Sequence, residues 1–382
     1  MFVRERNMQD WLSEHINRNY GFRDLVEELE YTPKTLEDRV IWDSYNYCLE
    51  FLYQVESISE DENISKYMSE ILKPDFFLFC PGYESFVIVE LKNDRNATRQ
   101  TGTELSAYVN AIKNHFPLIS DSDVCSVIIS SHWPTLLKNN VFNEMFWHRR
   151  KILCLEPVQY SNGDIKLARV PPRLLYGQAI TNTFKDSDFS GMHFPIESRV
   201  RNGKEIALDN HLGQIKSAFR RMCRKAEKNG SHGFAFLWRF HEDLKRSADY
   251  CITFVDINPF KINIASSASN SVRYEMIYKL NHFLRQAEVN GVTRNTIASM
   301  WSGQDMLRGV ASGGPENSGS WQRLQEEMAW EGNVISFIPW GIIADLYEEF
   351  LPGAYAFGED FSYDNPTTGF DFLELVIPNN AL

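Results

Sequence analysis

Apolar residues recur along the first half of the chain with two different periods. Met8, Trp11, Leu12 and Ile16 repeat at three- and four-residue spacing, which predicts an amphipathic helix over residues 5 to 18. Residues 34 to 57 keep a helical period and predict a longer helix, with Thr35 as its N-cap. The period then shortens. Phe76 to Phe79 and Phe86 to Val89 are apolar runs separated by Pro81-Gly82-Tyr83-Glu84, a turn composition, so they predict two buried strands of a hairpin. Leu105, Tyr108, Val109, Ile112 and Phe116 form the stripe of a helix over about 98 to 116. VCSVIIS, residues 124 to 130, reads as a short buried strand. KILCLEPVQY and DIKLARV flank Ser161-Asn162-Gly163 and read as a second hairpin. This order predicts a mixed α/β unit.

Between residues 171 and 200 the chain turns rich in Pro, Gly, Ser and Asp and loses its period, which predicts a domain boundary. The expected domains are residues 1–175 and 190–382, the second an α+β domain of no assigned type. It opens with a helix over about 207 to 228, followed by strands in FAFLWRF and YCITFVDI and a helix over about 271 to 289. SGGPENSGS, residues 312 to 320, reads as a flexible loop. The tail is acidic and aromatic. A length of 382 residues, too long for one ordinary core, agrees with two domains.

Composition narrows the function classes. No apolar run approaches the roughly 18 residues of a membrane span, so no membrane partner is expected. The charged, amphipathic start does not read as a signal peptide. The six cysteines lie far apart without zinc spacing, and the expectation is a reduced, cytoplasmic protein. A net charge of −12 argues against a general nucleic-acid coat, so phosphate contact must come from local basic clusters. One such cluster is plain. Residues 197 to 228 hold nine Lys/Arg against four Asp/Glu. There, Lys216, Arg220, Arg224 and Lys228 line up at i, i+4, opposite a stripe of Leu208, Leu212, Ile215, Phe219 and Met222. This face is a candidate nucleic-acid contact through Lys216, Arg220 and Arg224; a solvated face, or one pairing with the acidic tail or another subunit, is the alternative.

The first hairpin carries the chemistry. If its turn centres between residues 82 and 83, antiparallel pairing sets Asp75 opposite Glu90. Alternation puts Phe77, Phe79, Phe86, Ile88, Glu90 and Lys92 on the face of Asp75. Two carboxylates at strand spacing repel and call for a cation. Oxygen ligands favour Mg²⁺ or Mn²⁺. Lys92, on the same side, can orient a water or neutralise a phosphate, and these parts suit phosphodiester hydrolysis. Arg95 and Arg99 extend the cationic edge as candidate phosphate contacts.

Pro74-Asp75, followed after a hairpin by Glu90-Leu91-Lys92, resembles the PD-(D/E)xK nuclease superfamily. TRQTGTELSAYV resembles the helix that follows this motif in RecB-type members, where a Gln and a Tyr four residues apart are usual. Glu104 stands in the Gln place, Tyr108 keeps the aromatic, and Gln100, one turn earlier, is a possible substitute for the Gln. The resemblance covers roughly residues 1 to 160. It implies a restriction-endonuclease-like mixed sheet flanked by helices. It implies a Mg²⁺- or Mn²⁺-dependent nuclease with Asp75, Glu90 and the Leu91 carbonyl as metal ligands and Lys92 as the catalytic cation. It also implies an acid on an upstream helix: Glu5 is the candidate, with Glu14, Glu28 and Glu50 competing. The expected substrate is double-stranded DNA, in a setting such as antiviral defence, restriction or repair. The competing expectation is a catalytically silent nucleic-acid-binding or oligomeric scaffold that keeps the fold, with a homo-oligomer or a partner protein held through the second domain.

Overall fold

The computed structural model describes residues 2, 4–19, 21–66, 71–93, 98–177, 179–180, 183–244, 246–259, 279, 282–283, 292–355 and 362–378. The chain divides into two compact units, Met1–Ile180 and Thr181–Leu382.

In the first unit, helix α1 (Glu5–Asn19) buries the Met8, Leu12 and Ile16 stripe. Helix α2 (Leu36–Glu50) starts where the Thr35 hydroxyl accepts from the Asp38 amide at 3.2 Å. It ends at Glu50, seven residues short of the expected 57. The Phe22 and Arg23 amides both donate to the Leu52 carbonyl at 3.1 Å and draw the chain out of the helix. Residues expected at its C-terminal end instead form edge strand β1 (Glu56–Glu60). A sheet edge offering unpaired backbone groups has overridden the local helical period.

Strands β2 (Phe76–Cys80) and β3 (Ser85–Lys92) form the hairpin, with Glu84 at φ 50° in its turn. Helix α3 (Thr98–His115), strand β4 (Val124–Ser130), helix α4 (Thr135–Phe142), and strands β5 (Lys151–Gln159) and β6 (Ile165–Arg169) follow. The six strands lie in the order β1-β2-β3-β4-β5-β6. β3, β4 and β5 are parallel and the other pairings antiparallel. β3 is therefore central, and all eight of its residues are buried. A central strand with two covered faces must be apolar, so any charge on β3 needs its own partner.

The second unit is an antiparallel sheet built from β7 (Phe189–Ser198), β10 (Gly233–Phe240), β11 (Ala248–Ile257), β12 (Ala311–Gly313) and β14 (Gly332–Trp340), in the order β12-β7-β11-β10-β14. A short ribbon of β8 (Val200–Arg201) and β9 (Lys204–Glu205) precedes helix α5 (Leu212–Lys228). One sheet face packs Phe194, Ala235, Leu237 and Phe254 against Ile215, Phe219 and Met222 of α5. The alternate residues Phe234 and Phe236 pack against Trp321 and Phe370.

The expected loop at 312–320 is not free. β12 and β13 (Glu316–Gly319) both pair with β7. At Gly313 a Cβ would lie 2.4 Å from the Phe194 ring, so this glycine permits close strand approach rather than flexibility. The helix expected over 271–289 falls outside the described residues except for Lys279, His282 and Phe283. Among the described residues no helix is long and apolar enough to cross a membrane. All six cysteines are free and buried.

Candidate active site

The hairpin ladder pairs Phe76 with Val89 and Phe77 with Ile88. One further step sets Asp75 across from Glu90. The Asp75 Oδ2 accepts a hydrogen bond from the Leu91 amide at 2.6 Å, which fixes its carboxylate beside the end of β3. Its backbone carbonyl accepts from Gln9 Nε2 of α1 at 3.4 Å and from the Asp61 amide at 3.3 Å. Asp75 is thus tied to α1, to the residue after β1, and to β3.

Glu90 is 3% exposed and Lys92 8%. Both point from the central strand into the interior, and they form an ion pair, with Lys92 Nζ donating to Glu90 Oε1 at 2.6 Å. Lys92 Nζ also reaches Glu104 Oε2 of α3 at 3.3 Å. Tyr108, one helical turn after Glu104, donates its hydroxyl to the Lys73 carbonyl at 3.0 Å and pins α3 to the segment that leads into Asp75. Glu90 Oε2 is buried and has no hydrogen-bond partner among the described residues. A buried carboxylate oxygen without a partner is costly, about 1–3 kcal/mol or more when charged, and marks a place where a cation or a proton belongs.

The electrostatics agree. Burial pushes the Asp75 carboxyl up to about 6; the Leu91 amide pulls it back and Glu5 adds to the rise. Burial and the Asp75 charge push Glu90 up to about 8, although Lys92 pulls it down. Burial alone would lower the Lys92 ammonium, but Glu90 and then Glu104 hold it above its ordinary range. Burial raises the Tyr108 phenol, with Glu90 adding to the rise. These directions fit one arrangement: a charged lysine beside a carboxylate pair whose burial and mutual repulsion outweigh the pull of that lysine.

Glu5 comes close, with its Oε2 accepting from the Asn93 amide at 3.4 Å. Its three competitors are engaged elsewhere: Glu14 with Arg18, Glu28 with Arg23, and Glu50 with the Tyr83 hydroxyl at 2.9 Å. Arg95 and the side chains of Arg99 and Gln100 lie outside the described residues. Lys216, Arg220 and Arg224 belong to the second unit, on α5.

Sequence reasoning missed Gln9, Asp61 and the Leu91 amide. Gln9 and Asp75 are 66 residues apart, and nothing local in either segment signals their contact. A cleft of 520 Å³ lies along α1, lined by Arg6, Gln9, Asp10, Ser13, Glu60 and Asp61 among others. Its carboxylates outnumber Arg6, so a phosphodiester is not drawn in from that side.

Among the described residues no group of three or more His, Cys, Asp and Glu side chains is gathered as a metal cage. The oxygen donors at this end of the hairpin are the Asp75 and Glu90 carboxylates, the donor type a hard cation takes. No family model, no curated protein and no solved structure matches the chain.

Proposed function

We propose that the first unit is a restriction-endonuclease-like nuclease domain that hydrolyses phosphodiester bonds, with DNA as the expected substrate. The observation that carries this reading is the pairing of an oriented Asp75 with a buried Glu90 whose Oε2 has no partner among the described residues, beside a charged Lys92. Most buried carboxylate oxygens are partnered, and this one stands where two carboxylates and a lysine meet. The mixed sheet supports the same reading, because it presents all three residues at one end of the β2–β3 hairpin between α1 and α3.

Asp75, Glu90 and the Leu91 carbonyl would hold Mg²⁺ or Mn²⁺. Such an ion, when bound, supplies Lewis-acid polarisation of a phosphoryl oxygen and a more acidic water. The chain's own residues do the rest. The Leu91 amide holds the Asp75 carboxylate in one rotamer. Glu104 and Glu90 hold the Lys92 ammonium at a fixed place, where it can donate to a non-bridging phosphate oxygen or to the attacking water. Tyr108 holds α3, and with it Glu104, against the Lys73 carbonyl.

Titration with Mn²⁺ by calorimetry, comparing wild type with Asp75→Ala, tests the site before any substrate is known. A single site with at least tenfold weaker binding in the variant supports the nuclease reading. Equal, weak binding in both supports a scaffold that keeps the fold without the chemistry.

A further inference from the structure

We infer that the basic face of α5 forms a groove for a nucleic-acid backbone, a second polyanion site in the second unit. The choice of nucleic acid over other polyanions rests on the proposed function of the first unit; the groove itself does not.

Helix α5 carries six Lys/Arg and one acid, Glu227, in a chain of net charge −12. Its buried face, through Ile215, Phe219, Met222 and Ala226, fixes which side meets solvent. Arg220, Arg221, Arg224, Lys225 and Lys228 are all exposed there and line a groove of 570 Å³. At about 1.5 Å rise per residue, Arg220, Arg224 and Lys228 form one row spaced about 6 Å apart. Arg221 and Lys225 form a second row beside it.

The far wall comes from Ser302 and Met306. It is held firmly: Gln214 Nε2 donates to the Met306 carbonyl at 2.6 Å, and a Cβ on Gly303 would lie 2.3 Å from the Met222 methyl carbon. The groove is therefore a built feature of the packing between α5 and the segment after residue 301.

Charge neutralisation is incomplete. Arg221 reaches Asp305 at 3.7 Å and Arg220 reaches Asp364 at 4.0 Å. Arg224, Lys225 and Lys228 have no carboxylate at ion-pair distance among the described residues. Lys216 is not part of the lining; it is half-buried and acts on Asp364. Of the three residues named from the sequence, Arg220 and Arg224 line the groove and Lys216 does not.

The shape selects the ligand class. A compact phosphate pocket converges buried donors on one point. Here five exposed cations spread over about 12 Å of helix, which matches three to four phosphates of one strand at about 3.4 Å each. Among the described residues no aromatic ring lines the groove, so it contacts backbone rather than stacked bases and reads no sequence.

The test uses the full chain in EDTA, so that binding is read without cleavage. Anisotropy of a labelled 20-base-pair duplex is followed across a salt series. The Arg224→Ala/Lys228→Ala variant should bind about tenfold more weakly at low salt and flatten the slope of log K against log salt by about 2. Arg224→Lys should bind like wild type. Equal affinity and slope in the double variant, with an unchanged melting temperature, overturns the groove. So does a variant that loses only the binding of tripolyphosphate while holding DNA as before. DNA binding that depends on Arg224 and Lys228, in a protein that cuts nothing, would sink the nuclease reading and leave the groove standing.

Discussion

The Asp75 carboxylate accepts the Leu91 amide proton at 2.6 Å, one residue beyond the Glu90 it faces across the hairpin. That bond does two things. It orients Asp75, and it ties that carboxylate to the strand that carries Glu90. Asp75→Asn keeps an acceptor oxygen for Leu91 and loses the charge. It should therefore weaken Mn²⁺ binding at least tenfold while holding folding stability within about 1 kcal/mol of wild type. Asp75→Ala should lose both, with a further loss of about 1–2 kcal/mol in urea melts. Unchanged metal affinity in Asp75→Asn would contradict the assignment.

Stability without metal should fall as pH rises. Glu90 is raised from an ordinary 4.5 to about 8. Between those values the folded chain binds more protons than the unfolded chain, so unfolding becomes easier with rising pH. Asp75 adds the same sign between 3.8 and about 6. The raised Lys92 contributes stability that is fully present below 10.5, so it does not vary in this window. In EDTA, the melting temperature of wild type relative to Glu90→Gln should decline from pH 5 to pH 8. A flat difference would mean that Glu90 is ionised and fully paired throughout.

Glu104 acts through Lys92. Glu104→Gln leaves the shorter Glu90 contact and should lower kcat several-fold while metal affinity stays near wild type. Tyr108→Phe removes one hydrogen bond to the Lys73 carbonyl and should cost about 1 kcal/mol in stability, with a smaller effect on rate. A complete loss of activity in Glu104→Gln, with metal binding intact, would instead make it a catalytic residue.

The second unit has its own polar network. Thr253 accepts from Trp238 Nε1 at 2.8 Å and meets His193 Nδ1 at 2.9 Å, while His193 Nε2 meets Glu327 at 3.1 Å. Burial lowers the His193 imidazole, with Glu327 opposing. Thr253 is fully buried, so this serine-protease-like sequence of contacts holds the core and meets no substrate. Thr253→Val should cost about 2–5 kcal/mol, because Trp238 and His193 both lose a partner. A change below about 1 kcal/mol in denaturant unfolding would contradict this.

The hairpin was legible from its apolar runs and Pro-Gly turn, and the ladder takes the register, centred between residues 82 and 83, that sets Asp75 against Glu90. Tyr108 was legible from the apolar stripe of α3, whereas Glu104 was named only through the family resemblance. Strand β1 was not, because ESISE alternates weakly and gains its strand form only by pairing with β2. Gln9 and Asp61 were not, because they reach Asp75 through tertiary contacts with no local signature. The loop at 312–320 misled because Gly313 serves close packing against β7 rather than flexibility.

The most direct test is cutting of supercoiled plasmid with Mg²⁺, Mn²⁺ or EDTA, comparing wild type with Glu90→Ala and Lys92→Ala. The account predicts metal-dependent nicking or linearisation by wild type, reduced at least a hundredfold in both variants while each keeps a cooperative melt. Cutting that persists in Lys92→Ala, or that proceeds equally in EDTA, would contradict it.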